Sequence, residues 1–247
     1  MGSGAVVGTP ISEAADGALS ADATAVAPGG PAFSIWSLIY LGFIAFALWQ
    51  ALPSHHGDFR QRRVGWWIGA SMLLNAVWIA TVQFDQLVLS VLVILALLAV
   101  LVEAFLILTR SPSFSKVEAV SVEVTTYVYL GWVCVAVVAD IAATLAYHDI
   151  DPLGLGADLW AVLVLMVVAL VSVVLAVVGH GRWSVTAAIV WGLAWIVVAR
   201  ASGDGFESQP AAIAAGGAAA VALAATAFVR WSESRSAREH PALHYWT

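Results

Sequence analysis

Residues 87–109 read LVLSVLVILALLAVLVEAFLILT, a run that holds a single charged side chain. A helix rises about 1.5 Å per residue, so a segment of this length crosses a hydrocarbon core of roughly 30 Å. Its apolar residues do not alternate with polar ones in the period of two that a membrane strand requires. Outward from this stretch, six further runs of similar character lie between polar or Pro/Gly breaks, at 32–52, 64–84, 120–146, 159–178, 183–199 and 211–231. Composition agrees: 62% of the 247 residues are hydrophobic, 11% are charged and 12 are Trp, far from the balance of a soluble domain. The expectation is an all-α, polytopic membrane bundle of about seven transmembrane helices.

The basic residues test that count. Arg60, Arg62 and Arg63 follow the first run, Arg110 and Lys116 the third, Arg182 the fifth, and Arg230, Arg235 and Arg238 the seventh. Nine of the ten Lys and Arg therefore fall on one side, and Arg200 is the exception. Asp85, Asp149, Asp151, Asp158, Asp204 and Glu207 lie on the other side with the acidic N-terminal segment. Since Lys and Arg in short loops mark the cytoplasmic face, the expected orientation is N-terminus outside and C-terminus cytoplasmic, in the plasma (inner) membrane of a prokaryote. A net charge of −6 without a basic run argues against a nucleic-acid partner. The partners expected instead are the lipid membrane, a hydrophobic small molecule and a second copy in a homodimer. Residues 1–31 contain no Lys or Arg and no uninterrupted apolar core, so no signal peptide is expected there. Cys134 is the single cysteine, which leaves no internal disulfide and no Cys-based zinc site.

Polar groups placed in mid-membrane carry the functional argument, because each costs free energy unless partnered. Thr125, Tyr129, Trp132, Ala136 and Asp140 follow spacings of three and four and so form one helical stripe. Trp36 and Tyr40 stand one turn apart, with Phe43 continuing their face, and Asn75 and Trp78 pair in the same way with Ser71 a turn earlier. Rings together with a few hydrogen-bonding groups suit a cavity that holds a flat, largely apolar ligand. The same residues also serve as interhelical glue, at about 0.6–2 kcal/mol per hydrogen bond. Asp140 is the functional candidate by default, and snorkelling to the outer surface is the competing account of it. Glu103 and Glu123 lie toward the cytoplasmic ends of their runs and are read as snorkelled or paired with basic neighbours. Trp49, Trp66, Trp67, Trp160, Trp183 and Trp231 are read as interfacial anchors. The AAIAAGGAAAVALAATA stretch of the last run points to close helix approach.

Several chemistries drop out. A retinal Schiff base needs an intramembrane Lys, and the one Lys, Lys116, is in a loop. No His is placed to ligate a haem iron in mid-membrane, and the adjoining His55 and His56 read as solvated loop residues. No phosphate-cradling Gly-rich loop and no Ser/His/Asp arrangement is evident. The expectation is a protein that is not an enzyme and holds no metal and no covalently bound cofactor.

Three stretches carry a family resemblance: SIWSLIY at 34–40, LNAVW at 74–78 and YLGWVCVAVVAD at 129–140. In this order the chain resembles the TspO/MBR family, the tryptophan-rich sensory proteins related to the translocator protein, over about residues 32–147. The stretches look like that family's second-helix Trp and Tyr, its third-helix Leu-Asn and Trp, and its fifth-helix Tyr-Leu-Ala-Trp segment ending in Asn. The resemblance implies a helical bundle whose pocket opens beneath the loop preceding the second family helix and binds porphyrins, haem-related tetrapyrroles or sterol-like ligands. It marks Trp36, Tyr40, Asn75, Trp78, Tyr129, Trp132, Ala136 and Asp140 as ligand-binding positions. Three departures stand out: Asp140 replaces the usual Asn, Ile79 and Ala80 replace prolines, and Val128 stands where a Pro precedes the Tyr.

The implied organisation has four parts. Residues 1–31 are an outer segment resembling the family's first loop, with no counterpart of its first helix. Residues 32–147 are four TspO-like helices, 148–231 are three additional helices and 232–247 are a cytoplasmic tail. The functional expectation is a sensor, regulator or carrier that binds a porphyrin, another tetrapyrrole or another flat hydrophobic molecule. The alternative is a secondary transporter with Asp140 as its proton-coupled group.

Overall fold

A computed structural model describes residues 14–51, 59–111, 113, 115–201 and 206–239. Its long helices are α1 (Ile35–Gln50), α2 (Phe59–Gln83), α3 (Leu87–Arg110), α4 (Thr125–Tyr147), α5 (Gly156–Val178), α6 (Trp183–Ala201) and α7 (Gln209–Glu239), with no strand among the described residues. All seven lie in segments long and apolar enough to cross a membrane. The chain is an integral membrane protein. The helices follow the seven apolar runs, and several differ from them in extent, α2 beginning at Phe59 before the run at 64. The fourth membrane segment begins at Lys116, and α7 continues past Trp231 to Glu239. His55, His56 and Asp204, and residues 1–13 of the N-terminal segment, lie outside the described residues.

Helix α4 is the axis. Its membrane window is 61% buried inside the protein, whereas no other span exceeds 44%. Helices α1, α3 and α6 pack around it, α2 packs on the outside of α3, and α5 and α6 both pack on α7. The C-terminal helices thus form a unit that meets α4 chiefly through α6. Small residues set that contact. A Cβ added at Gly131 of α4 would overlap the Val185 carbonyl oxygen and come within 2.9 Å of Ala188 Cβ, and one at Gly192 of α6 would meet Val135 at 3.0 Å. With no driving force from water between helices in lipid, such close backbone approach supplies the packing.

Side-chain bonds fasten the ends. The Thr186 and Thr226 hydroxyls, on α6 and α7, lie 2.6 Å apart. Where α5 stops, Gly181 takes a positive φ of 66° and its N–H donates to the Ala176 carbonyl at 2.8 Å, a left-handed helix ending that glycine adopts without strain. Entry into α4 begins with Ser115, whose hydroxyl accepts from the Glu118 N–H at 3.1 Å, an N-cap hydrogen bond. A π-helical turn, Ala119–Val124, follows. Bonding from i to i+5 brings residues five apart toward one side, and Glu118 and Glu123 are accordingly both buried. Glu123 accepts from Arg182 Nη1 at 3.1 Å, tying the base of α4 to the start of α6, and the Arg182 guanidinium also stands 5.5 Å from the Tyr127 ring centre. Glu103 is exposed on α3.

Residues 14–34, which precede α1, stay against the bundle. Two 3₁₀ turns, Ala15–Gly17 and Gly30–Ser34, flank a stretch that folds down over the helix ends. Ala25, Val26, Ala27 and Ala32 are buried there.

The α4–α6 contact predicts a contrast between glycines. Gly131→Ala should destabilise the detergent-solubilised protein by roughly 1–3 kcal/mol, since extra volume at a tight contact forces displacement. Gly217, on α7, has open space at its Cβ position, so Gly217→Ala should be neutral or slightly stabilising. Thermal unfolding of the two variants side by side checks this, and equal losses would contradict it.

Candidate functional site

Trp36 and Tyr40 of α1, Asn75 and Trp78 of α2 and Tyr129 and Trp132 of α4 lie together on the face of α4 that looks toward α1 and α2. Trp36 stacks on Tyr40 with ring centres 5.6 Å apart and meets Tyr129 edge-on at 5.6 Å and Trp132 edge-on at 6.3 Å. Phe43 extends the group against Tyr129 at 5.6 Å, and Phe33 meets Trp132 at 5.7 Å. Offset and edge-on contacts of this kind add about 0.5–1.5 kcal/mol each beyond burial. Asn75 Nδ2 donates to the Tyr40 hydroxyl at 3.2 Å, bridging α2 and α1. Tyr40 is the outermost member, 40% exposed, while Tyr129 and Trp132 are about 1% exposed.

The eight candidate positions divide into two groups. Trp78, Trp132, Ala136 and Asp140, with Ala139 and Ala143, line a cavity of about 30 Å³ whose other wall is the N-terminal stretch, with Thr24 and Phe33 among its residues. Trp36, Tyr40, Asn75 and Tyr129 stand beside this cavity as packed rings and a bridging amide, not as its lining. A drug-sized ligand occupies about 300–1,000 Å³, so the space enclosed under the N-terminal stretch is that of one small polar group. The alanines at 136, 139 and 143 make the hollow, because a larger side chain on that face of α4 would fill it.

Polar atoms in this region are conspicuously short of partners. The indole N–H groups of Trp36 and Trp132, the Tyr129 hydroxyl, Asn75 Oδ1 and the Thr24 hydroxyl are buried without a hydrogen-bond partner. Buried polar atoms are paired in the large majority of cases, so a concentration of exceptions calls for an explanation.

Asp140 is 1% exposed and turned inward, so the snorkelling account does not hold. Both of its carboxylate oxygens face the Ser90 hydroxyl of α3, at 3.1 and 3.0 Å, and that same hydroxyl bonds the Leu87 carbonyl at 2.7 Å. A serine hydroxyl has one proton to give, so three acceptors share it. The Trp78 side chain also bears on the carboxylate, but its indole N–H closes no hydrogen bond of normal geometry.

The wall over the cavity is held by α6. Arg200 is 2% exposed. Its guanidinium donates to the Thr24 carbonyl at 3.0 Å, to the Phe206 carbonyl at 2.7 Å and to the Ala21 carbonyl. Trp191 Nε1 donates to the Ala32 carbonyl at 2.9 Å, and the Gly29 N–H donates to the Trp195 carbonyl at 3.2 Å. Gly29 makes a close approach here, since a Cβ would stand 3.3 Å from the Trp195 ring. Arg200, Trp191, Ser90, Thr24 and Phe33 are the residues that sequence reasoning did not select. Arg200 had left a signal as the one basic residue on the acidic side. The others had left none, because their importance depends on which carbonyl or carboxylate they meet.

Among the described residues no group of three or more His, Cys, Asp or Glu side chains gathers as a metal site. A family model described as TSPO-like protein matches residues 3–229, a range that takes in six of the spans and most of the seventh. No curated protein and no solved structure matches the chain.

Removing the guanidinium strands three backbone carbonyls. Arg200→Gln should therefore speed amide hydrogen exchange across residues 18–33 by about tenfold or more, which corresponds to roughly 1.4 kcal/mol of lost closure. The centre of α4 should keep its protection. Mass-spectrometric exchange checks this, and unchanged protection of residues 18–33 would contradict the fastening role.

Proposed function

The chain belongs to the TSPO-like protein family, and from that premise we propose that it binds a flat hydrophobic molecule, with a porphyrin or haem-related tetrapyrrole as the first ligand class to test. In this reading it acts as a sensor, regulator or carrier and performs no catalysis. The observation that carries the proposal is the set of buried donors without acceptors, the Trp36 and Trp132 indoles and the Tyr129 hydroxyl, set among ring contacts. Aromatic faces accept a planar guest and unspent N–H and O–H groups fix its orientation.

A tetrapyrrole does not fit the 30 Å³ enclosed under the N-terminal stretch. Binding therefore includes displacement of residues 18–33 from the cavity, followed by reclosure over or beside the guest. The stretch is suited to this, since main-chain hydrogen bonds to α6 and the Arg200 contacts hold it and can re-form. The orientation proposed with this function puts that stretch outside and the Arg-rich ends in the cytoplasm of a prokaryotic cell.

A second reading, proton-coupled transport through Asp140, draws on the burial of that carboxylate. Proton-coupled uptake into liposomes favours it, and binding without flux favours the sensor.

Titration of the purified protein with protoporphyrin should quench Trp fluorescence saturably. Trp132→Phe should weaken the apparent affinity about fivefold, the scale of one ring contact. Trp160, bonded to Asp151 and Pro152 away from the cluster, provides the control, and Trp160→Phe should leave affinity unchanged. Quenching that rises linearly without saturation, or that ignores Trp132→Phe, would overturn the proposal.

A further inference from the structure

The donors without acceptors account for one side of the site, and Asp140 is the opposite case. It is a buried carboxylate whose oxygens share a single hydroxyl proton with a backbone carbonyl. No Lys, Arg or His lines its cavity, and Asp140 is the one charged residue among the lining. A carboxylate taken out of water needs an opposite charge or several strong donors to offset its desolvation. Among the described residues lining the cavity the chain supplies no opposite charge, and the donors that face the carboxylate are the shared Ser90 hydroxyl and the Trp78 side chain.

The rest of the cavity wall indicates what would supply it. Trp78, Trp132 and Phe33 line the same space as Asp140, and aromatic rings attract cations through their faces. Thr24 contributes a hydroxyl with no partner, whose oxygen can accept a hydrogen bond. The cavity of about 30 Å³ is large enough to admit a water molecule, and an ammonium group is of similar size. Three aromatic rings, one carboxylate and one spare hydroxyl around such a space form a receptor for a small organic cation.

We propose that the Asp140 cavity is the head-group subsite for a protonated amine carried on a flat apolar molecule. The ammonium donates to the Asp140 carboxylate and to the Thr24 hydroxyl, and the apolar body lies toward the Trp36, Tyr129 and Trp132 rings. This rests on the reading of the aromatic cluster as a ligand site and adds the charge of the guest. The carboxyl departure at Asp140 acquires a reason in this account, since an Asn in its place would offer no charge.

The test uses a matched series on one ring system, 1-pyrenemethylamine, 1-pyrenemethanol and 1-pyrenecarboxylate, titrated into the full-length protein in nanodiscs of phosphatidylcholine. The saturable component of Trp quenching is read, because partition into lipid contributes only a linear background. The amine should bind about tenfold or more tightly than the alcohol, and the carboxylate most weakly, as expected for a charge-assisted hydrogen bond in a dry site. In Asp140→Asn, which keeps the side-chain shape, the amine should lose that advantage while the alcohol is little changed. Thermal unfolding of the variant verifies its fold, and the comparison of amine with alcohol in the unmutated protein stands whether or not the variant folds.

Equal affinity for amine and alcohol, an amine preference that survives Asp140→Asn, or no saturable binding of any pyrene would each overturn the proposal. Protoporphyrin titrated in parallel separates the two readings. If protoporphyrin saturates while no amine preference appears, the Asp140 subsite fails and the tetrapyrrole reading stands. If the amine saturates selectively and protoporphyrin does not, the reverse holds.

Discussion

Inside a bilayer core a polar side chain has no water to turn to, and in this protein that constraint falls most heavily on one helix. Helix α4 carries Thr126, Tyr129, Trp132, Asp140 and Thr144, all buried. Asp140 and Thr144 find partners on a neighbouring helix, while the Thr126 and Tyr129 hydroxyls and the Trp132 indole find none, and α4 takes the central position with its neighbours assembled around it. Asp140 reaches α3 through Ser90, and the Thr144 hydroxyl reaches the Leu87 carbonyl on α3 at 3.3 Å. Glu123, in the turn leading into α4, reaches α6 through Arg182.

Helix α6 plays the complementary part. An arginine fastens it at each end: Arg182 to the π-helical entry of α4 on the basic side, and Arg200 to the N-terminal stretch on the acidic side. Between them, Gly131 and Gly192 let the two helices meet at backbone distance. The C-terminal helices are thereby structurally tied to the aromatic site without contributing a ring to the group around Trp36, because they hold the segment that closes it. An Arg guanidinium suits this task, since its several fixed donors can satisfy several carbonyls at once where no water is available to do so.

The site that results is closed and electrically divided. On one side, indole and phenol donors lack acceptors, and on the other a carboxylate shares one serine proton and has no cationic partner in its cavity. Trp132 and Asp140 stand two turns apart on α4, and the Trp78 indole of α2 lines the same cavity as the carboxylate. A core built only for stability would have paired them or replaced them with apolar side chains. In the function proposed above these partly satisfied groups are what a guest would meet, and the small volume would place the conformational burden of admitting it on residues 18–33.

Much of this was legible before any coordinates. Seven runs long enough to cross a bilayer, and nine of ten basic residues on one side, determined the helix count and the alternation of the loops, because span length and loop charge are local properties of the chain. Helical spacing also placed Tyr129, Trp132, Ala136 and Asp140 on one face and paired Trp36 with Tyr40 and Asn75 with Trp78. Only the tertiary structure decided that the rings pack against each other and not around a large hollow, that Asp140 turns to Ser90 and not to the outer surface, and that the N-terminal stretch forms the wall under Arg200. Those outcomes depend on contacts between residues as far apart as Ala21 and Arg200. Residue spacing within one helix cannot specify which distant backbone carbonyl will need a donor, since that need arises only when the helices have packed and water has been excluded.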